Sequence, residues 1–347
     1  MVDSLSEYRD RTDLPDAPGF SVSATLTGHT DTVPAVKFSL DGRKVASGSA
    51  DSTAKVWDVE KHTILNSFAQ HNYSITDVDW NWDSVTLAST SDDKLARLWD
   101  TRSGGKCVQE LAGHTHHVTS CSFAPSGNVL ATGSFDETVR LWDIRTGGVI
   151  SVISAHSDPI MSVVYSKEQV KPLLATSSLD GSCRIWSSQT KECLRTIVPD
   201  EDKTPVVSAQ FTPNNKYVLL STLKSKALLF DFIADKPQGQ EARPVLKKTY
   251  SGHLNVKYAL KSIFMVKTDD GNKFVVSGSE DHHVYIWELN NKTCLGVLRG
   301  RKAAESKGTG HCDVTLGLDA SKVNPLLATS AASSDCTIKI WKHKVST

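Results

Sequence analysis

The feature that most constrains this chain of 347 residues is an aromatic residue that recurs at nearly constant spacing. The recurring positions are Trp57, Trp99, Trp142, Trp186, Phe230, Trp287 and Trp341. The first five follow one another after 42, 43, 44 and 44 residues. A histidine precedes most of them by 28 to 34 residues. Such a period indicates that one supersecondary unit is repeated seven times around a shared core.

The first repeat shows what each unit contains. Three short runs of alternating apolar residues, Val36–Ser39, Lys44–Gly48 and Ala54–Asp58, are separated by turns that include Asp-Gly. This pattern predicts antiparallel strands, and no helical period of useful length accompanies it. The fold class that follows is all-β.

The period, the upstream histidine and the closing Trp-Asp together resemble the WD40-repeat family over residues 21–347. The resemblance implies a seven-bladed β-propeller of four strands per blade. The last repeat stops after its third strand, so we expect Ser21–Thr27 to complete the seventh blade and close the ring, which removes exposed sheet edges. The polar residues 1–20 are expected to form a disordered arm.

Composition restricts the classes of function. Lys and Arg number 39 and so do Asp and Glu, so no net field favours nucleic acid or an anionic membrane. No apolar run approaches the roughly 18–20 residues of a membrane helix, and residues 1–20 resemble no signal peptide. The seven cysteines contain no Cys-x-x-Cys pair, and Cys107, Cys193 and Cys294 occur in matching phrases. We therefore expect buried apolar cysteines rather than disulfides or a metal site.

In the WD40 family a buried polar chain of His, Ser or Thr, Asp and Trp holds each blade together. The indole N–H only donates, so it needs an acceptor, and a hydroxyl can accept it while bonding the histidine. The resemblance implies six such sets here, because the fifth unit carries Leu220, Lys224 and Phe230 instead. The sets are His29, Ser47, Asp51 and Trp57; His71, Ser89, Asp93 and Trp99; His114, Thr132, Asp136 and Trp142; His156, Thr176, Asp180 and Trp186; His253, Ser277, Asp281 and Trp287; and His311, Thr329, Asp335 and Trp341.

His-Asp-Ser sets could be mistaken for hydrolase triads, but six copies in register favour a structural role. The chain has no Gly-x-Ser-x-Gly elbow, phosphate loop or His-Glu-x-x-His motif. We expect no catalytic residues, no metal and no cofactor, and hence no enzyme.

Several phrases are similar to one branch of the family, the WD-repeat scaffold subunit of COMPASS/MLL-type histone lysine-4 methyltransferase complexes. They include "GSFDETVRLWD", "SGSEDHHVYIW" and "LNVKYA", and the degenerate fifth unit is shared too. In that branch a central opening accepts an arginine side chain between two aromatic rings. Ala50, Asp92 and Phe135 match this pattern, whereas the ring positions hold Thr119 and Lys261. A lysine repels a guanidinium and a threonine offers no π face.

The second binding surface of that branch is the groove between blades five and six, which takes an acidic and hydrophobic segment of another subunit. The resemblance places Asn214, Tyr217, Leu229, Phe264, Val266 and Asn290 in this groove. An aromatic and aliphatic cleft with a few amides suits such an anchor. Nearby lysines favour an acidic segment, namely Lys216, Lys224, Lys226, Lys247, Lys248 and Lys267. Ordinary propeller strands are the alternative interpretation.

The resemblance therefore implies a non-catalytic nuclear scaffold of a COMPASS-like complex, monomeric within a hetero-oligomer. Its expected partners are a SET-domain methyltransferase and a second propeller subunit, with a histone tail as a further candidate. No direct contact to nucleic acid or membrane is expected. The alternative is a WD40 adaptor or substrate receptor in another assembly, such as a ubiquitin ligase or an RNA-processing complex. Two polar insertions, 234–248 and 299–310, are expected to be surface loops or partner contacts.

Overall fold

The computed structural model describes residues 14–233, 243–266, 273–299 and 310–343. Every regular element in these residues is a β-strand, and the strands form seven antiparallel sheets of four strands each. The expected all-β, seven-bladed propeller is thereby confirmed. None of the described segments forms a helix long and apolar enough to span a bilayer.

The first four blades follow the chain in order. Blade 1 contains β2 (Ala35–Phe38), β3 (Lys44–Gly48), β4 (Ala54–Asp58) and β5 (Ile64–Phe68). Blade 2 contains β6 (Ile75–Trp80), β7 (Thr86–Ser91), β8 (Leu95–Asp100) and β9 (Cys107–Ala112). Blade 3 contains β10 (Val118–Phe123), β11 (Val129–Ser134), β12 (Thr138–Asp143) and β13 (Val149–Ser154). Blade 4 contains β14 (Ile160–Tyr165), β15 (Leu173–Ser178), β16 (Cys183–Ser187) and β17 (Cys193–Ile197).

The remaining blades include the one that joins both ends of the chain. Blade 5 contains β18 (Val206–Phe211), β19 (Tyr217–Thr222), β20 (Lys226–Asp231) and β21 (Val245–Ser251). Blade 6 contains β22 (Ser262–Val266), β23 (Lys273–Gly278), β24 (Val284–Glu288) and β25 (Cys294–Leu298). Blade 7 contains β26 (Thr315–Ala320), β27 (Leu326–Ala331), β28 (Ile338–His343) and β1 (Phe20–Leu26).

Strand β1 closes the ring as the sequence predicts. It pairs antiparallel with β28, with Val22 opposite Trp341 and Leu26 opposite Ile338. Its bounds, Phe20–Leu26, lie one residue before the predicted Ser21–Thr27. The seventh sheet therefore needs residues from both ends of the described chain.

The core lies between neighbouring sheets rather than within one. One cluster joins Val56 and Phe68 of blade 1 to Val78 and Trp99 of blade 2, and the rings of Phe68 and Trp99 are 4.8 Å apart. The same arrangement recurs around the ring, and the tryptophans of the repeat are buried. Each blade thus stabilises the next, which explains why the aromatic position recurs so regularly.

Residues 14–19 differ from the expected disordered arm. The Ala17 N–H donates to the carbonyl of Val297 in β25 at 2.9 Å, and the Val297 N–H donates to the carbonyl of Pro15 at 3.0 Å. Ala17 is buried, and Asp16 pairs with Arg299 at 2.6 Å. The exposed edge of β25 supplies backbone hydrogen-bond partners for this segment. The polar composition of the segment did not indicate them. The other thirteen residues of the predicted arm lie outside the described residues.

Two further expectations need correction. The insertion predicted as residues 234–248 ends earlier, because Val245–Ser251 form β21; residues 234–242 and most of the second insertion lie outside the described residues. Cys107, Cys193 and Cys294 begin outer strands and are half-buried or exposed, whereas Cys121 and Cys183 are buried. The outer strand of each blade faces solvent on one side, so its first residue is not in the core.

Two faces of the disc are distinguished below. The upper face carries the turns between the second and third strands, which include Ala50, Asp92 and Phe135. The lower face carries the turns between the innermost and second strands, such as the one that contains Asn214.

Candidate functional site

The buried polar chains are built the same way in five of the seven blades. In blade 1 the Trp57 indole N–H donates to Ser47 Oγ at 2.8 Å. Ser47 Oγ and His29 Nε2 are 2.8 Å apart, and His29 Nδ1 and Asp51 Oδ2 are also 2.8 Å apart. An ionised Asp51 accepts, so Nδ1 carries the proton and Nε2 accepts from the hydroxyl. The structure brings together the corresponding sets that end in Trp99, Trp142, Trp186 and Trp341.

The turn aspartates of these sets are held in the ionised form. Burial alone would raise the pKa of Asp51, but bonds from His29 and Thr53 outweigh it and hold that pKa far below its usual range. Asp136 behaves in the same way. These carboxylates contribute stability above their unfolded pKa of about 3.9 and lose it only in strong acid.

The sixth predicted set does not form, and that prediction was wrong. His253 is fully buried, yet neither ring nitrogen has a hydrogen-bond partner in the described structure. Tyr285 Oη donates to Asp281 Oδ2 at 2.6 Å and so occupies the carboxylate that the histidine would use. The Trp287 indole N–H donates instead to the carbonyl of Ser251 at 3.3 Å. Burial lowers the pKa of His253 to about 4, so it is neutral at pH 7.

The residue two positions before the tryptophan distinguishes blade 6 from the blades in which the set forms. Arg97 holds this position in blade 2, where its Nη1 lies 2.8 Å from Asp93 Oδ2 and reinforces the set. In the sixth blade the position holds Tyr285, which competes for the aspartate instead. The residues at this position in blades 1, 3, 4 and 7 are basic as well, namely Lys55, Arg140, Arg184 and Lys339. The departure at Tyr285 was therefore a readable signal.

The described residues of blade 5 form no such chain. Leu220 and Phe230 pack in an apolar cluster with Val218, while Lys224 points to the surface and pairs with Asp202 and Asp200. Apolar packing thus replaces the polar chain in this blade. In the described part of the chain no three His, Cys, Asp or Glu side chains are grouped to hold a metal ion.

At the upper central opening, the two positions expected to hold the sandwiching rings are Thr119 and Lys261. The Thr119 hydroxyl donates to the carbonyl of Ile160 in the next blade at 2.6 Å, so it links two blades. Phe135 is partly exposed, and its ring stacks on His116 at 5.7 Å. Asp92 lies 3.3 Å from His117 Nδ1, and burial raises the pKa of Asp92. Ala50 occupies the equivalent turn of blade 1 and bonds the carbonyl of Thr32.

Lys261 lies in the central channel. Its Nζ lies 2.8 Å from Asp77 Oδ1, an ion pair between blades 6 and 2 across the propeller axis. Asp77 also accepts from Ser120 Oγ at 2.9 Å and from the Cys121 N–H at 3.3 Å. The sequence analysis did not identify Asp77, because its partner lies 184 residues away. The chain therefore places its own cation in the channel.

Glu280 organises the loop that leads to Lys261. Its Oε1 accepts from the N–H groups of Val256, Lys257 and Tyr258 at 2.7, 2.6 and 3.0 Å. Three charge-assisted bonds to one oxygen fix the loop backbone. Sequence reasoning missed this residue, although "LNVKYA" had marked the segment as distinctive.

The groove between blades 5 and 6 brings together three of its six predicted residues. Tyr217, Leu229 and Phe264 contribute to one apolar cluster between the two sheets. Leu229 is buried and forms the floor, whereas Tyr217 and Phe264 are half-buried. The Phe264 N–H donates to Gln210 Oε1 at 3.0 Å, which fixes the strand at the blade boundary.

The other three predicted residues lie at the margins of the groove. Asn214 is exposed, and its Oδ1 accepts from Thr212 Oγ1 at 2.6 Å, so this oxygen holds its own turn. Asn290 is exposed, and its carbonyl accepts from Lys248 Nζ at 2.9 Å. Val266 is 38% exposed at the end of β22. All three remain open to a partner.

The lysines near the groove divide into two groups. Lys216, Lys247 and Lys248 are on the side of Tyr217, and Lys247 pairs with Asp231 at 3.4 Å. Two others lie at the opposite end of the β19–β20 hairpin, Lys224 and Lys226. Lys267 lies outside the described residues. The positive charge available to a groove partner is thus smaller than predicted.

The ring, the recurring polar chains and the open turns define a WD-repeat interaction scaffold. The family model described as the WDR5 beta-propeller domain matches residues 25–342, and the chain belongs to this family.

Curated relatives fall in several branches. The chain is 27% identical to the WD repeat domain-containing protein 83 homolog of Dictyostelium discoideum, over 92% of this chain and 98% of the relative. It is 26% identical to the COMPASS component SWD3 of Saccharomyces cerevisiae, over 56% of this chain and 59% of the relative. It is 30% identical to the WD repeat-containing protein WDS homolog of Arabidopsis thaliana, over 47% of this chain and 26% of the relative.

Proposed function

We propose that this protein is a non-catalytic scaffold subunit of a COMPASS-like histone lysine-4 methyltransferase complex in the nucleus, which joins subunits through the groove between blades 5 and 6. The observation that carries the proposal is the shared cluster of Tyr217, Leu229 and Phe264. The match to the WDR5 beta-propeller family and the similarity to the COMPASS component SWD3 support it. The partners are a SET-domain methyltransferase and a second propeller subunit.

The central opening has a lesser role in this proposal. Lys261 occupies the channel and Thr119 bonds a neighbouring blade, so neither side chain stacks on an incoming guanidinium. Ala50, Asp92 and Phe135 remain as candidates for a weaker contact with a histone tail. Binding energy is therefore expected to concentrate in the groove, where half-buried aromatic anchors are present.

Purification of the tagged protein from its own cells tests the proposal. The variant Tyr217→Ala/Phe264→Ala removes both half-buried aromatic groups, and Tyr73→Ala/Val108→Ala removes two exposed apolar groups in blade 2 as the matched control. We expect the wild type and the control to retain a SET-domain protein, a second propeller subunit and lysine-4 methylation activity, and the groove variant to lose all three. If the groove variant retained both proteins and the methylation activity, the groove would not be the surface that joins the subunits.

A second candidate is a WD40 adaptor of a different assembly. It is favoured by the relative with the longest coverage above, the WD repeat domain-containing protein 83 homolog, which matches nearly end to end. The same purification separates the two candidates, because the adaptor function predicts other co-purifying subunits and no methylation activity.

A further inference from the structure

The lower mouth of the central channel opens into a cavity of about 360 Å³. Every blade contributes to its wall, and the first turns of blades 1 to 5 and of blade 7 each supply at least one residue. These turn residues include Leu40, Trp82, Pro125, Lys167, Pro213 and Lys322. A concave site of this size falls at the lower end of the range for ligand pockets, roughly 300–1,000 Å³.

Among the described residues, three cations from three separate blades line this cavity. They are Lys37 of blade 1, Lys167 of blade 4 and Lys322 of blade 7. Lys37 pairs with Asp319 at 3.6 Å. The described structure contains no ion pair for Lys167 or Lys322, and both residues are exposed.

The two carboxylates among the described residues of the cavity wall are already engaged. Asp319 Oδ2 accepts from the Phe38 N–H at 2.8 Å, and Asp79 Oδ2 accepts from the Phe123 N–H at 2.8 Å. Each carboxylate thus links its own blade to the next blade. These two carboxylates neutralise Lys37 more directly than they neutralise Lys167 or Lys322.

The rim lysines repel one another. Although both side chains reach solvent, the cavity wall removes part of the water around their ammonium groups. This desolvation, together with the charges of Lys322 and Lys37, lowers the pKa of Lys167 to about 8. Desolvation and the charge of Lys37 likewise lower the pKa of Lys322. An anion placed between these groups would relieve that repulsion and gain charge-assisted hydrogen bonds.

An exposed aromatic surface lies beside the cations. Trp82 is 39% exposed, and Lys322 Nζ lies 5.6 Å from the centre of its ring. Phe264 and Val266 line both this cavity and the groove between blades 5 and 6. The cavity is therefore continuous with a surface suited to an extended peptide.

We propose that the lower-mouth cavity binds an acidic peptide segment of a partner protein, with its carboxylates paired to Lys167 and Lys322 and an adjacent side chain packed against Trp82. Lys167 and Lys322, which have no ion pair in the described structure, select the charge of the occupant, and the opening beside the groove favours a peptide over an enclosed small molecule. The site is independent of the methyltransferase assignment, because any assembly could supply such a segment.

The test uses the purified chain and a fluorescein-labelled heptapeptide of alternating glutamate and alanine. A second peptide with glutamine in place of each glutamate is the matched probe. We expect anisotropy to show binding of the glutamate peptide alone, and its affinity to fall as salt is raised. Lys167→Gln/Lys322→Gln should weaken binding at least about tenfold, which corresponds to ~1.4 kcal/mol.

Two controls establish where the peptide binds. Lys61→Gln/Lys106→Gln removes two exposed lysines from turns outside the cavity and should leave the affinity unchanged. Lys167→Arg/Lys322→Arg keeps the charge and should retain binding. The proposal is overturned if the glutamine peptide binds equally well, if the cavity variant binds like the wild type, or if both glutamine variants lose the same affinity.

Discussion

The unpaired His253 predicts an unusual dependence of stability on pH. Its folded-state pKa is about 4 and its ordinary value is 6.5. The fold therefore favours the neutral ring, so stability is fully present above the unfolded pKa and is lost as the pH falls toward the folded one. For these two values, His253 alone removes about 2 kcal/mol of unfolding free energy between pH 7 and pH 5.

The variant His253→Leu isolates this effect. It replaces a buried ring that has two unpaired nitrogens with an apolar side chain of similar size, so we expect unchanged or higher stability at pH 7. His114→Leu should instead cost on the order of 3 kcal/mol, because it leaves Asp136 and Thr132 without their partner. His116→Gln is the control for replacing an exposed histidine.

Urea unfolding at pH 7 and at pH 5, read by tryptophan fluorescence, measures all four proteins. Between pH 7 and pH 5, the free energy of unfolding of the wild type and of His116→Gln should fall by about 2 kcal/mol more than that of His253→Leu. Equal pH dependence in the wild type and in His253→Leu would refute the reasoning. So would a loss at pH 7 in His253→Leu as large as that in His114→Leu.

Three further changes have defined outcomes. Gly296→Ala places a Cβ 2.7 Å from the Pro15 carbonyl, so it should release residues 14–17, cost about 1–3 kcal/mol and speed limited proteolysis there. Lys261→Met leaves Asp77 without its cation and should lower stability by about 3 kcal/mol, and adding Asp77→Asn should restore most of it in chemical unfolding. Glu280→Gln removes the charge from three bonds and should accelerate amide exchange at Val256, Lys257 and Tyr258.

The fold was predictable because the sequence pattern that indicates one blade recurs along the chain. The spacing of Trp57 and its equivalents predicts blades, and the short last unit predicts ring closure by β1. Most polar chains were also predictable, because they are local and recur in register. Where a neighbouring side chain competes, as Tyr285 does for Asp281, the pattern of the set alone was insufficient.

Contacts between distant parts of the chain were not predictable. The Lys261–Asp77 pair and the docking of Ala17 on Val297 join residues far apart in sequence, so no local pattern reveals them. The lower-mouth cavity depends in the same way on Lys167 and Lys322 meeting across the ring. A sequence pattern specifies each blade, whereas the channel is specified only by how seven blades meet.

Cross-linking of the native complex tests the central claim most directly. An amine-reactive cross-linker on the intact assembly reports which lysines lie near a partner. The account predicts cross-links from Lys216, Lys247 and Lys248, beside the groove, to another subunit of a methyltransferase complex. Partner cross-links confined to lysines away from the groove, such as Lys55 and Lys94, would contradict it.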